Sequence, residues 1–216
     1  MERIVSAALD IIDRDGLDAL SMRTLAAELD TGTATLYRYV NSKEEVLVEA
    51  LDAVLGEIQL PETYSQASDW RSQVAAGATA LRDGLRSHPN ITPLLAGSVP
   101  IGPNALKGRE ANLDLLINAG FAPPTAVRLH LAIVHYVIGF VLAESPESAV
   151  YGTQYKRTLK RYYQRLPADT YPSITALADQ LTTRDNDQEF AFGLDLILDG
   201  IERHAGVKPA RGRKTR

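Results

Sequence analysis

Between Ser21 and Glu45 the chain reads SMRTLAAELDTGTATLYRYVNSKEE, a spacing that predicts two short helices joined by a tight turn, with a third helix capped immediately behind them. Ser21 offers a hydroxyl to the free amides of a first turn, and Leu25, Ala26 and Leu29 fall on one face of the helix that follows. Asp30-Thr31-Gly32 then makes the turn: Gly32 tolerates positive φ, Asp30 can bond nearby backbone, and Thr33 can cap a second helix running from about Ala34 to Tyr39. Ser42 followed three residues later by Glu45 is a capping box for the next helix, whose apolar stripe is Val46, Leu47, Ala50 and Leu51.

A helix pair of this kind sets its second helix into the major groove of duplex DNA. Position then assigns the contacts. Thr33, Thr35 and Arg38 are available to base edges, since hydroxyls pair with several edges and Arg forks onto guanine. Tyr37, Tyr39 and Lys43 fall nearer the phosphates, and Arg23, early in the first helix, reaches the flanking backbone. Leu36 and Val40 are expected to face inward. Residues 1–55 carry five cations against eleven acids, a net charge of −6. Bulk attraction therefore cannot hold DNA; affinity has to come from the few cations around the groove helix and from two copies acting together.

The pattern stays helical beyond this head. Trp70 to Ser87 carries Val74, Ala78, Leu81 and Leu85 at helical spacing, and Asn104 to Asn118 carries Leu106, Leu113, Leu115, Leu116 and Ile117. No strand-like alternation occurs, so the fold class is all-α. The Pro- and Gly-rich run from Pro89 to Pro103 reads as a loop or broken short helix, and Glu144 to Pro172 as a second irregular stretch. Within the latter, YGTQYKRTLKRYYQRL mixes Tyr and basic residues but reads as a solvated surface helix, far along the chain from the groove reader. Ala126 to Ala143 is nearly apolar all round and close to bilayer length, but Arg128, His130 and His135 argue for a helix covered by protein on both sides and not by lipid. Asp187 to His204, with Phe190, Leu194, Ile197, Leu198 and Ile201 on one side and Phe192 and Leu196 beyond, also has apolar area to spare. Two such helices from each of two chains make a four-helix homodimer interface that would hold two groove helices about one DNA turn apart.

With no cysteine, disulfides, zinc fingers and a thiol nucleophile are excluded. His130 and His135 lie five residues apart, about 140° around a helix, so they cannot share a metal, and no metal or cofactor is expected. Neither a nucleophile and base arrangement nor a phosphate-cradling glycine loop is visible, which speaks against an enzyme. His88 and His204 read as helix-end residues and His135 as a packed core group, which leaves His130 as the histidine with a candidate role. The N-terminus lacks the uncharged core of an export signal, which points to the cytoplasm. The tail Lys208 to Arg216 adds five positive charges and reads as disordered and solubilising.

The N-terminal region resembles the TetR family of transcriptional repressors. The matching residues are Ile4, Ala7, Ala8 and Leu9, then Gly16 and Leu20 to Ala26, then Thr35 to Val40 with Ser42 to Glu45. Asp30 departs from the pattern, since the family usually has Gly there. From about Trp70 to Gly206 the chain is similar to the tetracycline repressor branch, on Arg86-Ser87-His88, on Leu113 to Phe121 with Ile133 to Tyr136 and Gly139 to Leu142, and on Phe190 to Ile197 with Gly200 to Glu202.

That branch holds a metal-chelated drug through polar anchors most of which are missing here: the corresponding places fall near Ala96 and at Ala143, Gly77, Leu81 and Gln59, and only Asn112 matches an amide-bearing position. The resemblance therefore implies a different and more apolar effector, enclosed by Leu81, Asn112, Leu113, Val127, His130, Leu131 and Val134. The expected organisation is a helix-turn-helix domain at 1–55, a ligand-binding and dimerisation domain at 56–206 and a basic tail at 207–216. The expected activity is that of a homodimeric repressor released from an inverted-repeat DNA operator by a small molecule. A constitutive DNA-binding protein with a solid C-terminal core, and a helical dimeric enzyme, are the alternatives.

Overall fold

The computed structural model describes residues 1–59, 69–97, 99–144, 153–183 and 185–205, which form helices and no strand. The basic tail lies outside the described residues, as does Tyr151 of the Tyr- and Arg-rich stretch.

Helix α1 (Glu2–Asp15) turns its apolar positions inward and is stopped by Gly16, which takes φ 87° and returns its N–H to Ile12 O. A single 3-10 turn (Leu17–Ala19) leads to α2 (Met22–Glu28). Ser21 caps it: its hydroxyl accepts the Thr24 N–H at 3.1 Å, and Thr24 Oγ1 accepts the Ser21 N–H at 2.8 Å. Helix α3 (Thr33–Leu36) is shorter than the sequence predicts, because after one turn the chain tightens through Tyr37 to Val40. Leu36 and Val40 are buried, joining Ile4, Ala8, Ile12, Leu25 and Ala50 in the core of the head.

The turn between α2 and α3 differs from expectation. Asp30, not Gly32, is the left-handed residue, with φ 50°, and Gly32 has φ −87°. The hydrogen bonds explain this: Thr31 N–H returns to Ala26 O and Asp30 N–H to Ala27 O, the Schellman closure whose penultimate position is left-handed. Gly32, not Thr33, precedes the first residue of α3, and no side chain caps that helix.

The capping box of α4 (Lys43–Glu57) is likewise offset. Ser42 Oγ accepts the Glu45 N–H at 3.2 Å as expected, but the Glu45 carboxylate reaches one residue further back, to the N–H of Asn41 at 2.7 Å and its side-chain amide at 2.8 Å. The Asn41 backbone bond, then its side-chain bond, hold the Glu45 pKa below the usual carboxylate value.

The body is built from α5 (Trp70–Ser87), α6 (Leu94–Gly97), α7 (Pro103–Asn118), α8 (Pro123–Glu144) and α12 (Asn186–Ala205), with α9 (Thr153–Gln164), α10 (Pro172–Ala176) and α11 (Ala178–Thr182) forming a side layer. Its core joins Trp70, Val74, Leu85, Leu116, Phe121, Ile133, Val137, Phe190 and Leu198. Trp70 meets Phe121 edge-on at 5.0 Å between ring centres. As the sequence predicts, α9 is a surface helix.

Head and body meet through the segment read as a loop or broken short helix, which carries α6. Ile91 is fully buried in the head's core, and the Asn90 side chain donates to Ile12 O at 2.9 Å and Asp13 O at 3.1 Å, satisfying the last carbonyls of α1. His88 ends α5, as expected of a helix-end residue, and also bridges Asp13 at 2.7 Å and Glu57 at 3.2 Å. Leu55 of α4 packs against both cores.

Candidate DNA-reading surface and effector cavity

Burial of Leu36 and Val40 forces their neighbours outward. Thr33, Thr35, Tyr37, Arg38 and Tyr39 are all exposed on one surface, Arg23 is exposed on α2 beside it, and Lys43 is half-buried at the start of α4. Two tyrosines standing more than half exposed on a small domain mark a contact surface. Of the head's five cations, Arg14 is held by Asp15 and Glu28, at 2.9 and 3.1 Å. Arg23 and Arg38 make no ion pair among the described residues and remain available to an anion.

A cavity of about 450 Å³ lies within the body. The end of α4 supplies Leu55, Gly56 and the following Ile58; α5 supplies Gly77 and Leu81; α7 supplies Asn104, Ala105, Arg109 and Asn112; α8 supplies His130, Val134 and Ile138. This volume falls in the usual range for small-molecule sites, and the lining is mostly apolar. Two polar atoms in it, Asn112 Oδ1 and His130 Nδ1, are buried with no hydrogen-bond partner among the described residues. Burial, and after it the charges of Arg109 and His135, push the His130 pKa below 6.5, so its ring is neutral at pH 7. A neutral imidazole and a carboxamide oxygen, both unpaired and buried, are sites where a bound molecule recovers hydrogen bonds that water no longer makes.

Leu81, Asn112, His130 and Val134 line the cavity as the sequence suggests; Leu113, Val127 and Leu131 do not. Helix phase alone does not separate them. Val127 falls in the same stripe of α8 as His130, Val134 and Ile138 but in the helix's first turns, and Leu131 falls at that stripe's edge; both are exposed. Leu113 is one step past Asn112 on α7 and half-buried outside the lining. His135 is exposed, not a core group. The contribution of α4, Asn104 and Arg109 carries no signal in sequence spacing, because it depends on how α4 crosses α7.

The outer face of α8 and α12 is not covered by other described residues. Val127 and Leu131 on the first, and Phe192 and Leu196 on the second, are exposed apolar side chains on helices that pack against each other. Helix α8 is long and apolar enough to cross a membrane by length and composition alone, but its inner stripe of Ala126, His130, Ile133, Val137 and Val141 is buried against the body.

Comparison with known proteins matches both halves. Residues 4–50 match the bacterial regulatory proteins of the tetR family, and residues 61–205 match the tetracyclin repressor-like C-terminal domain. The chain is 35% identical, over 96% of its length and 86% of the relative's, to an HTH-type transcriptional regulator of Saccharopolyspora erythraea. It is 33% identical to the transcriptional repressor DrrR1 of Streptomyces coeruleorubidus, covering 94% of this chain and 77% of that one. Among solved structures, the Streptomyces coelicolor TetR family protein ActR in complex with actinorhodin superposes with a TM-score of 0.85 at 35% identity, over 95% of this chain and 97% of that one. An exposed helix-turn-helix surface, a largely apolar cavity and agreement over both halves of the chain have one common reading: the chain belongs to the TetR family, as a DNA-binding, ligand-responsive transcriptional regulator.

Proposed function

We propose that the chain is a cytoplasmic homodimeric repressor in which two heads, residues 1–55, bind an inverted-repeat operator, and the body, 56–206, releases it when an apolar effector fills the cavity. One observation carries this reading: α4 belongs to both machines. Its first turns pack Val46 and Ala50 behind the groove-reading surface, and its last turn gives Leu55 and Gly56 to the cavity wall. A molecule in the cavity touches the lever on which the head is mounted.

The chemistry of the wall describes the effector. An apolar body fits between Leu81, Val134 and Ile138; a hydroxyl or N–H meets Asn112 Oδ1; a second polar group meets neutral His130; and an acidic group is favoured where Lys107 and Arg109 line the cavity. The structure of ActR in complex with actinorhodin supports a small-molecule effector for this fold. In this reading Thr33, Thr35 and Arg38 read bases, Tyr37, Tyr39, Lys43 and Arg23 hold the backbone, and the exposed apolar faces of α8 and α12 are covered by the partner.

The test is a titration of labelled operator, selected from random duplex DNA, against the protein with and without hydroxylated fused-ring aromatic acids that raise its melting temperature. Such a compound weakens operator binding by about 5- to 150-fold, the usual range of coupling between sites. It loses its own binding in Asn112→Ala and His130→Ala. Operator affinity unchanged by every compound that saturates the cavity contradicts effector control and favours a constitutive DNA-binding protein.

A further inference from the structure

The first turn of α7 has no capping side chain of its own: Gly102 stands at its N-cap and Pro103 at its first position. The free amides of that turn are satisfied from another helix. Asp52 of α4 places its carboxylate against them, Oδ2 accepting the Asn104 N–H at 3.1 Å and Oδ1 accepting the Ala105 N–H at 2.9 Å. The Asn104 side chain closes the ring by donating to Asp52 O at 3.1 Å. Asp52 is 6% exposed, and no salt bridge to it occurs among the described residues. A carboxylate this buried is held by backbone dipoles at a helix N-terminus.

The neighbouring glycines are shaped for this contact. A Cβ on Gly102 would overlap the Asp52 carboxylate, and one on Gly56 would overlap the Asn104 amide. Helices α4 and α7 therefore approach here more closely than any side chain would allow. Gly56, Asn104 and Ala105, which surround the contact, also line the cavity. A molecule in the cavity lies against both halves of the joint.

We propose that Asp52 and the first turn of α7 form the latch through which cavity occupancy sets the position of the reading head, with Asp52 as a positioning residue that touches neither DNA nor effector. This rests on the effector reading of the cavity. The contact suits a two-state joint. Two directional hydrogen bonds to a buried charge are made together or lost together, and a carboxylate pulled off the amides must find water before it settles again. Apolar packing at the same place would slide instead of switching.

The chain has no cysteine, so nitroxides on an Ala27→Cys background, exposed on α2, report the distance between the two heads of the dimer by pulsed electron spin resonance. Each hydrogen bond to a charged group contributes roughly tenfold to an equilibrium, so losing both shifts the latched-to-detached ratio by about a hundredfold. Without any ligand, Asp52→Ala broadens the distance distribution while the dimer mass and helical content stay those of the parent. Gly102→Ala does the same from the α7 side, its Cβ displacing the Asp52 carboxylate while the sequence of α4 is unchanged, and stands in if Asp52→Ala does not yield folded dimer. Distributions that coincide with the parent in the folded variants overturn the proposal.

A second arm adds 8-anilinonaphthalene-1-sulfonate, a flat apolar anion, with its fluorescence reporting occupancy. The probe shifts the parent distribution but not that of Asp52→Ala; an equal shift in both overturns the latch and leaves effector control standing. If the probe fills the cavity and moves neither, effector control by such a molecule is what fails, and the latch is decided by the ligand-free distributions.

Discussion

Arg82 on α5 donates to Glu144 at the end of α8 at 2.9 Å, with the two side chains only 3% and 6% exposed. The same guanidinium reaches Asp187 of α12 at 2.8 Å and lies over the Phe190 ring, 4.6 Å from its centre. One side chain thus ties three helices of the body. The bond to Glu144 leads the causes that raise the Arg82 pKa, against burial, so the guanidinium stays charged. Removing one partner strands a buried charge. Arg82→Ala is expected to lose about 3–5 kcal/mol of stability, read by urea unfolding at fixed protein concentration, and Arg82→Met with Glu144→Leu to recover most of it, because the stranded carboxylate is gone.

His88 makes the joint between head and body sensitive to pH. Burial lowers its pKa, but the hydrogen bonds and charges of Asp13 and Glu57 outweigh burial and raise it above 6.5. A raised folded pKa means that protonated His88 contributes fully below pH 6.5 and that the contribution is lost as pH rises through the folded value. The melting-temperature difference between wild type and His88→Gln is therefore largest at pH 6 and shrinks on the alkaline side. A difference that is constant from pH 6 to 9 contradicts this assignment.

Asp30 holds a position suited to glycine. Its φ of 50° follows from the Schellman closure of α2, and the left-handed region costs a residue with a Cβ about 1 kcal/mol, less for Asp than for most. Asp30→Gly is expected to stabilise the protein by about 0.5 kcal/mol, net of the greater freedom glycine has when unfolded. Thermal unfolding checks the sign.

On the DNA side, Arg38→Ala is expected to lose about 1–3 kcal/mol of operator binding together with preference at one base pair. Lys43→Ala weakens all sequences alike and lowers the slope of log affinity against log salt by about one. Anisotropy titrations on specific and scrambled duplexes at several salt concentrations separate the two roles. Interchanged behaviour would exchange their assignments.

The head was legible almost residue by residue because its signals are local. Ser21, Gly16 and Ser42 act on neighbours within a few positions, and Leu36 and Val40 were separated from Tyr37 and Tyr39 by helix phase alone. What failed there was also local: Asp30 and Gly32 compete for the same turn, and only the pattern of returning hydrogen bonds decides between them. In the body, α5 matches the span from Trp70 to Ser87 because its 3.6-residue repeat is regular. The cavity was half legible. Asn112, His130, Leu81 and Val134 lie on faces that sequence can phase, while Val127 and Leu131, in or beside the same stripe of α8, lie outside the lining, because how far the neighbouring helices cover that stripe is not written in its spacing. Asp52, Arg82 and His88 were missed for a different reason: their partners are 31 to 105 residues away, and nothing in the spacing announces such meetings.

The central claim is that two heads, yoked through α8 and α12, read two half-sites at once. The most direct measurement is the mass of the complex formed on a duplex selected from random DNA, by analytical ultracentrifugation, for the wild type and for Phe192→Asp, which puts a charge on the exposed apolar face of α12. The account predicts a selected inverted repeat holding two chains, and a monomeric Phe192→Asp variant that loses at least about a hundredfold in affinity, since each head alone carries few cations. A wild-type protein that is monomeric and binds a single half-site as tightly as the full repeat would contradict it.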